Sequence, residues 1–199
     1  MDALLVIVRL CARAAVVLSG VAALSACSLF GEDELPPPCP EIAVLGDAAS
    51  VTQFVEGPGR DLIDVLVEGD IADANGSCEY DVDDETGIGT LAVEMVVSIE
   101  LNRGPANRDR QADIGYFVAI TDAERNILSK ETFKATVPFP GNRNRLIWTD
   151  EPVYLGIPLK AKQTGKDFRI FLGLDVTRDE LQFNRSQIKE RKNRPPSGG

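Results

Sequence analysis

Apolar and polar residues alternate along most of this chain. In 62–71, Ile63, Val65, Val67 and Ile71 share one face and Asp64, Glu68 and Asp70 the other, the period-two pattern of a half-buried strand. Asp73-Ala74-Asn75-Gly76 follows and predicts a hairpin, because an Asn-Gly pair tolerates positive φ, with the return strand over 77–83. A long strand is predicted at 90–101, with Leu91, Val93, Met95, Val97, Ile99 and Leu101 on one face. Further strands are predicted at 42–45, 51–54, 114–121, 127–134, 146–149, 153–159 and 168–176. Segment 135–140 reads as an edge strand, since Pro138 and Pro140 cannot donate to a central ladder. Eight or nine short strands separated by turn signals predict an all-β fold, an antiparallel β-sandwich of immunoglobulin-like type. One helix is predicted near the end, over about 178–192. Thr177-Arg178-Asp179-Glu180 reads as its capping box, and Leu181, Phe183 and Ile188 as its apolar stripe.

The first 26 residues follow different rules. Arg9 and Arg13 precede an uncharged run, 14–26, of 13 residues, short of the roughly 20 that a transmembrane helix needs. A positive n-region, an apolar stretch and small residues make a signal peptide. Its end, Leu24-Ser25-Ala26-Cys27, resembles a bacterial lipobox. The resemblance implies a diacylglycerol on the Cys27 thiol, cleavage just before it, and a chain held to a membrane by its N-terminus. With two acyl signals on one cysteine the anchor is firm. In such lipoproteins a neutral residue after the cysteine, here Ser28, implies the outer membrane, facing the periplasm. The segments CPEIAVL, GPGRDL, GSCEY, FPGN and ELQFNR are similar to those of small proteobacterial envelope lipoproteins. That likeness carries no catalytic residues with it. The expected organisation is a signal peptide at 1–26, an acidic and proline-rich tether at 27–38, a folded domain at 39–193 and a disordered tail at 194–199.

In such a compartment Cys39 and Cys78, the cysteines left after processing and acylation, are expected to form a disulfide. Closing that loop contributes about 4 kcal/mol on loop entropy. A metal site is not expected, because two thiols without a histidine cannot complete a tetrahedral shell.

Charge is unevenly spread. From Cys27 to Asn102 there are 18 Asp and Glu against one basic residue, Arg60; from Arg103 onward there are 12 against 18 Lys and Arg. Acidic strands pairing with basic ones would cancel this across the ladder.

The chain has no histidine, which removes Ser-His-Asp and Cys-His catalysis and most catalytic zinc chemistry. No G-x-S-x-G, P-loop or dinucleotide fingerprint occurs. The carboxylates fall mainly on outer faces and turns, so no enzyme, cofactor or catalytic residue is expected. Segment 81–87, DVDDETG, fails as an EF-hand loop, with Thr86 and Ala92 where Gly and Glu belong, and reads as a solvated acidic turn. The candidate binding residues are Arg60, Arg143, Arg145 and Trp148. Arg60, in the Gly57-Pro58-Gly59 turn, is expected to pair with Asp61 or Asp64. Arg143 and Arg145 sit on an exposed hairpin tip close to Trp148, and arginine beside an aromatic suits anionic or sugar ligands. These features favour a binding or assembly module for another envelope component, with a protein partner and no nucleic acid. The alternative is a saccharide or peptidoglycan-fragment binder using Trp148, Tyr154 and the nearby arginines.

Overall fold

The structure, a computed structural model, describes residues 36–193. The leader, Cys27, most of the tether and the 194–199 tail lie outside the described residues. The domain is the expected antiparallel sandwich of nine strands with one C-terminal helix. One sheet has four strands: β1 (Glu41–Val44), β9 (Phe168–Leu174), β5 (Gln111–Asp122) and β6 (Ile127–Pro138), in that order. β1 and β9 run parallel, the exception to the antiparallel rule. The other sheet orders β2 (Ser50–Phe54), β3 (Val65–Val82), β4 (Gly89–Arg103) and β7 (Arg145–Thr149). β8 (Val153–Leu159) pairs the same edge of β4 as β7, one at each end of that long strand. The helix α1 spans Arg178–Asn193.

Alternation decides which face each strand buries. On β4, Leu91, Met95, Val97, Ile99 and Leu101 are fully buried, and on β5 Ile114, Tyr116 and Val118 meet them from the facing sheet. Burying such side chains contributes on the order of 1.5–3 kcal/mol each, and together they form one core shared by both sheets. The two sheets are also tied by polar contact: Tyr116 Oη on β5 donates to Asp150 Oδ2, just past β7, at 2.7 Å.

The expected hairpin at Asn75-Gly76 does not exist. β3 runs straight through it, Asn75 opposite Val96 and Gly76 opposite Met95, with a bulge between Ile71 and Asp73. Gly76 serves packing rather than turning: a Cβ there would stand 2.8 Å from Ile42 Cδ1 and 3.1 Å from Glu94 O. The turn falls later, at 83–88. There Asp83 Oδ1 accepts from the Thr86 amide at 2.8 Å, the Thr86 hydroxyl at 2.8 Å and the Glu85 amide at 3.2 Å, and Gly87 takes φ +65°. The acidic segment is thus a carboxylate-closed turn. Among the described residues no group of three or more His, Cys, Asp or Glu is arranged to hold a metal. The segments 127–134 and 135–140 likewise merge into the single edge strand β6.

The two halves of the sequence cancel across the ladders only in part. β2 and β3 pair within the acidic half, so Glu68, Asp70, Asp73, Glu79, Asp81, Glu94 and Glu100 lie in one sheet, but the other edge of β4 takes β7 and β8, and β1 takes β9. Arg145 on β7 bonds Glu100 at 2.7 Å. In the other sheet Arg169 faces Glu41 across β9 and β1 at 3.5 Å.

Strand directions sort the loops to two ends. The chain comes in at Pro38, beside the turns 83–88, 123–126 and 160–167; loops 55–64, 104–110 and 139–144 gather at the opposite end. The Cys39–Cys78 disulfide, with Cα atoms 5.7 Å apart, fastens the incoming segment to β3. Tyr80 Oη donates to Pro38 O at 2.7 Å and accepts from the Gly165 amide at 2.6 Å.

Candidate functional site

At the end opposite Pro38 a cleft of about 570 Å³ opens between α1, the outer side of β2 and β3, and the loop 55–64. Its walls are Phe54 and Val65 from the strands, Phe183 and Arg191 from the helix, and Arg60 and Leu62 from the loop. Glu68 and Asp70 line its sheet side.

The helix reaches this position through its cap and one buried amide. Thr177 and Glu180 form the expected box: the Thr177 amide donates to Glu180 Oε2 at 2.7 Å, and the Glu180 amide to Thr177 Oγ1 at 3.3 Å. The expected stripe contributes Phe183, edge-on to Phe54 at 5.4 Å between centroids. The fully buried residue of α1 is polar. Asn184 Nδ2 donates to Ser50 O at 2.6 Å and Asp47 O at 3.1 Å, satisfying carbonyls at the start of edge strand β2 and fixing the helix beside it. Arg185 adds an ion pair with Asp47 at 2.7 Å, worth little at such exposure.

The loop is equally determined. Residues Leu62–Asp64 form a 3-10 turn closed by reciprocal Asp61 and Asp64 bonds, the Asp61 amide donating to Asp64 Oδ2 at 3.2 Å. A Cβ on Gly59 would stand 2.4 Å from that same oxygen, so a side chain there would have to displace the Asp64 carboxylate from its bond to the Asp61 amide. Arg60 does not pair with Asp61 or Asp64. Its Nη1 donates to Gly57 O at 3.0 Å and Gly59 O at 2.7 Å, and its guanidinium lies 5.2 Å over the Phe54 ring. Arg60 is therefore a brace between loop and sheet.

The other candidate residues fall elsewhere. The 139–144 segment is no hairpin tip but a crossing between sheets, from β6 to β7. It is organised by Arg110, whose Nη2 donates to the carbonyls of Phe139 at 3.3 Å, Arg143 at 3.1 Å and Gly141. Arg143 contributes its backbone there, and Arg145 is engaged with Glu100. Trp148, opposite buried Ile99, turns inward against the core. Tyr154, opposite Glu94, stands on the outer face and is 72% exposed. Trp148 and Tyr154 thus face opposite sides of their sheet. Asn184 and Arg110 are the site-shaping residues that sequence reasoning passed over, since a polar residue in a solvated-looking segment carries no periodic signal.

The Asp70 carboxyl on the cleft's sheet side is shifted by its surroundings. Burial, then Glu100 directly across on β4, raises it above the ordinary carboxylate range, and Arg191 draws it partly back. Glu100 is itself held low by its bond to Arg145, then by Asn102. A carboxyl raised by folding stabilises the fold while protonated, and that contribution is lost as pH rises through its folded value. Asp70→Asn is therefore expected to raise the thermal midpoint at pH 7 by about 1–2 °C. The gain should vanish below the ordinary carboxylate range; calorimetry across pH 3–8 checks this, and an unchanged midpoint at pH 7 counts against it.

Comparison of the chain with protein-family profiles, with curated proteins and with solved structures returns no match in any of the three. Among the described residues, no helix is long and apolar enough to cross a membrane.

Proposed function

We propose that the protein is a non-enzymatic lipoprotein of the bacterial outer membrane, facing the periplasm, whose sandwich binds or assembles another envelope component. Cys27 carries the lipid, residues 27–38 are the tether, and the cleft beneath α1 is the binding end. The observation that carries this reading is the polarity of the domain. The incoming chain is fastened at Pro38, Cys39 and Tyr80, at one end of β3, while the cleft and its loop lie at the other. From Cys78 back to Val65 along that strand is roughly 40 Å at the usual strand rise. The tether thus enters the domain at the end of β3 remote from the cleft.

Metabolic labelling with palmitate, together with membrane fractionation and mild in vivo crosslinking, tests the reading. The native chain is expected to take label, sediment with membranes and yield a stoichiometric envelope partner. Cys27→Ser should take no label and leave the membrane fraction. An unlabelled, membrane-free native chain refutes the anchor; a labelled chain without any crosslinked component refutes the module.

A further inference from the structure

We propose that the paired loops 104–110 and 139–144 form a binding site for a phosphate group, with the side chains of Arg108 and Arg143 as its free arms. The site stands apart from the cleft beneath α1 and does not depend on the lipid anchor. Segments 103–110 and 139–144 hold four arginines, Arg103, Arg108, Arg110 and Arg143, against a single acid, Asp109. Among the described residues none of the four has a salt-bridge partner. The whole chain has 31 Asp and Glu and a net charge of −10, so carboxylates are plentiful. Four like charges left together and unpaired repel one another, and an anionic ligand relieves that repulsion.

Hydrogen bonds gather the four into one patch. Arg103 spans the two loops: its Nη1 donates to Asn107 O at 2.6 Å and its Nε to Asn144 Oδ1 at 3.0 Å. Arg108 follows Asn107 and Arg143 precedes Asn144, so the two free arginines flank the ends of that bridge. Arg110 makes a second bridge, donating from Nη2 to the carbonyls of Phe139, Gly141 and Arg143. These carbonyls are neutral, so both bridging guanidiniums keep their charge.

The scaffold is in place without a ligand. Asn107 is buried, its Nδ2 donating to Gln111 O at 2.8 Å and its Oδ1 accepting from the Arg110 amide at 2.9 Å. The Gly104 amide donates to Leu66 O at 2.9 Å and the Ala106 amide to Val65 O at 3.0 Å, which pins the first loop to β3. Arg108 and Arg143 are exposed, and neither side chain bonds another described residue. A guanidinium presents a planar fork that matches phosphate oxygens two at a time. Two free forks over a surplus of three positive charges suit a phosphate, which carries about two negative charges on neighbouring oxygens. A carboxylate carries one charge and is satisfied by one fork.

Calorimetric titration of the full chain in nonionic micelles tests this, with tripolyphosphate as the probe and citrate as the carboxylate comparison. Tripolyphosphate is expected to bind saturably, and citrate about ten-fold more weakly or not at all. Arg108→Gln and Arg143→Gln should each weaken tripolyphosphate about ten-fold, the loss of one charge-assisted contact, with the thermal midpoint unchanged. Arg143→Lys keeps the charge but loses the fork, and should weaken binding as well. Arg178→Gln combined with Lys189→Gln on α1 removes charge elsewhere and should leave the affinity as it is. Phosphatidic acid added to the micelles separates the two sources of phosphate: it displaces tripolyphosphate where the site takes membrane headgroups and leaves it bound where the site takes soluble phosphates. Citrate as tight as tripolyphosphate, an equal loss in the α1 variant, undiminished binding by Arg143→Lys, or no saturable binding overturns the proposal. None of these results bears on palmitate labelling or the crosslinked partner, on which the lipoprotein reading stands.

Discussion

Removing the disulfide by Cys39→Ser with Cys78→Ser is expected to lower the domain's stability by about 4 kcal/mol, the loop-entropy value for a link of this span. The link spans 39 residues of sequence, joining the segment before β1 to the C-terminal part of β3. What remains at that point is thin. Tyr80 Oη bridges Pro38 O and the Gly165 amide, and β1 contributes only the four residues of its parallel pairing with β9. Gly165 is itself committed, since a Cβ there would stand 2.2 Å from Pro38 O. Urea unfolding of the double variant should give the lower stability with an unchanged or slightly larger m-value. Hydrogen exchange should speed first at 41–44. A loss below about 1 kcal/mol would mean that native-state packing, rather than loop closure, holds the segment. Under the lipoprotein reading this is also where the tether meets the domain, so the double variant tests whether the fastening and the fold are separable.

The sandwich was legible because its signal is redundant. The alternation in 90–101 and 153–159 reappears as β4 and β8 nearly residue for residue, and the Thr177–Glu180 box marks the start of α1 because capping is local chemistry. Asn75-Gly76 misled for the opposite reason. The pair is a strong local turn signal, and what overrode it was tertiary: Ile42 of the other sheet presses where a side chain would be. The charge pattern also needed topology. Nothing local says that β3 pairs within the acidic half while the other edge of β4 takes strands of the basic half. Of the candidate binding residues, Arg60 was found but its role was not, because its partners are carbonyls and an aromatic face rather than carboxylates. Trp148 and Tyr154 sit six residues apart in sequence, and only the register shows that they point to opposite sides. The cleft depends on Asn184 finding Ser50 and Asp47 more than 130 residues away, a contact with no sequence signature.

Tyr116→Ala is expected to cost about 3–5 kcal/mol, the range for deleting a large buried aromatic side chain. Tyr116 is 1% exposed, stacks on Phe133 at 5.0 Å and reaches Asp150 between β7 and β8. It therefore acts both as filler and as a polar link between the sheets. Tyr116→Phe separates the two roles: it keeps the ring, loses the hydrogen bond and leaves Asp150 without its partner, for an expected loss of about 1–2 kcal/mol. The alkaline limb distinguishes the variants further. Burial, then the Asp150 carboxylate, pushes the Tyr116 hydroxyl above its ordinary value, which is about 10. A group raised by folding contributes stability below its unfolded value and loses it as pH rises toward the folded one. The native domain should therefore weaken above pH 10 more steeply than Tyr116→Phe, and the gap between the two should narrow. Parallel curves would mean that folding does not raise the Tyr116 hydroxyl.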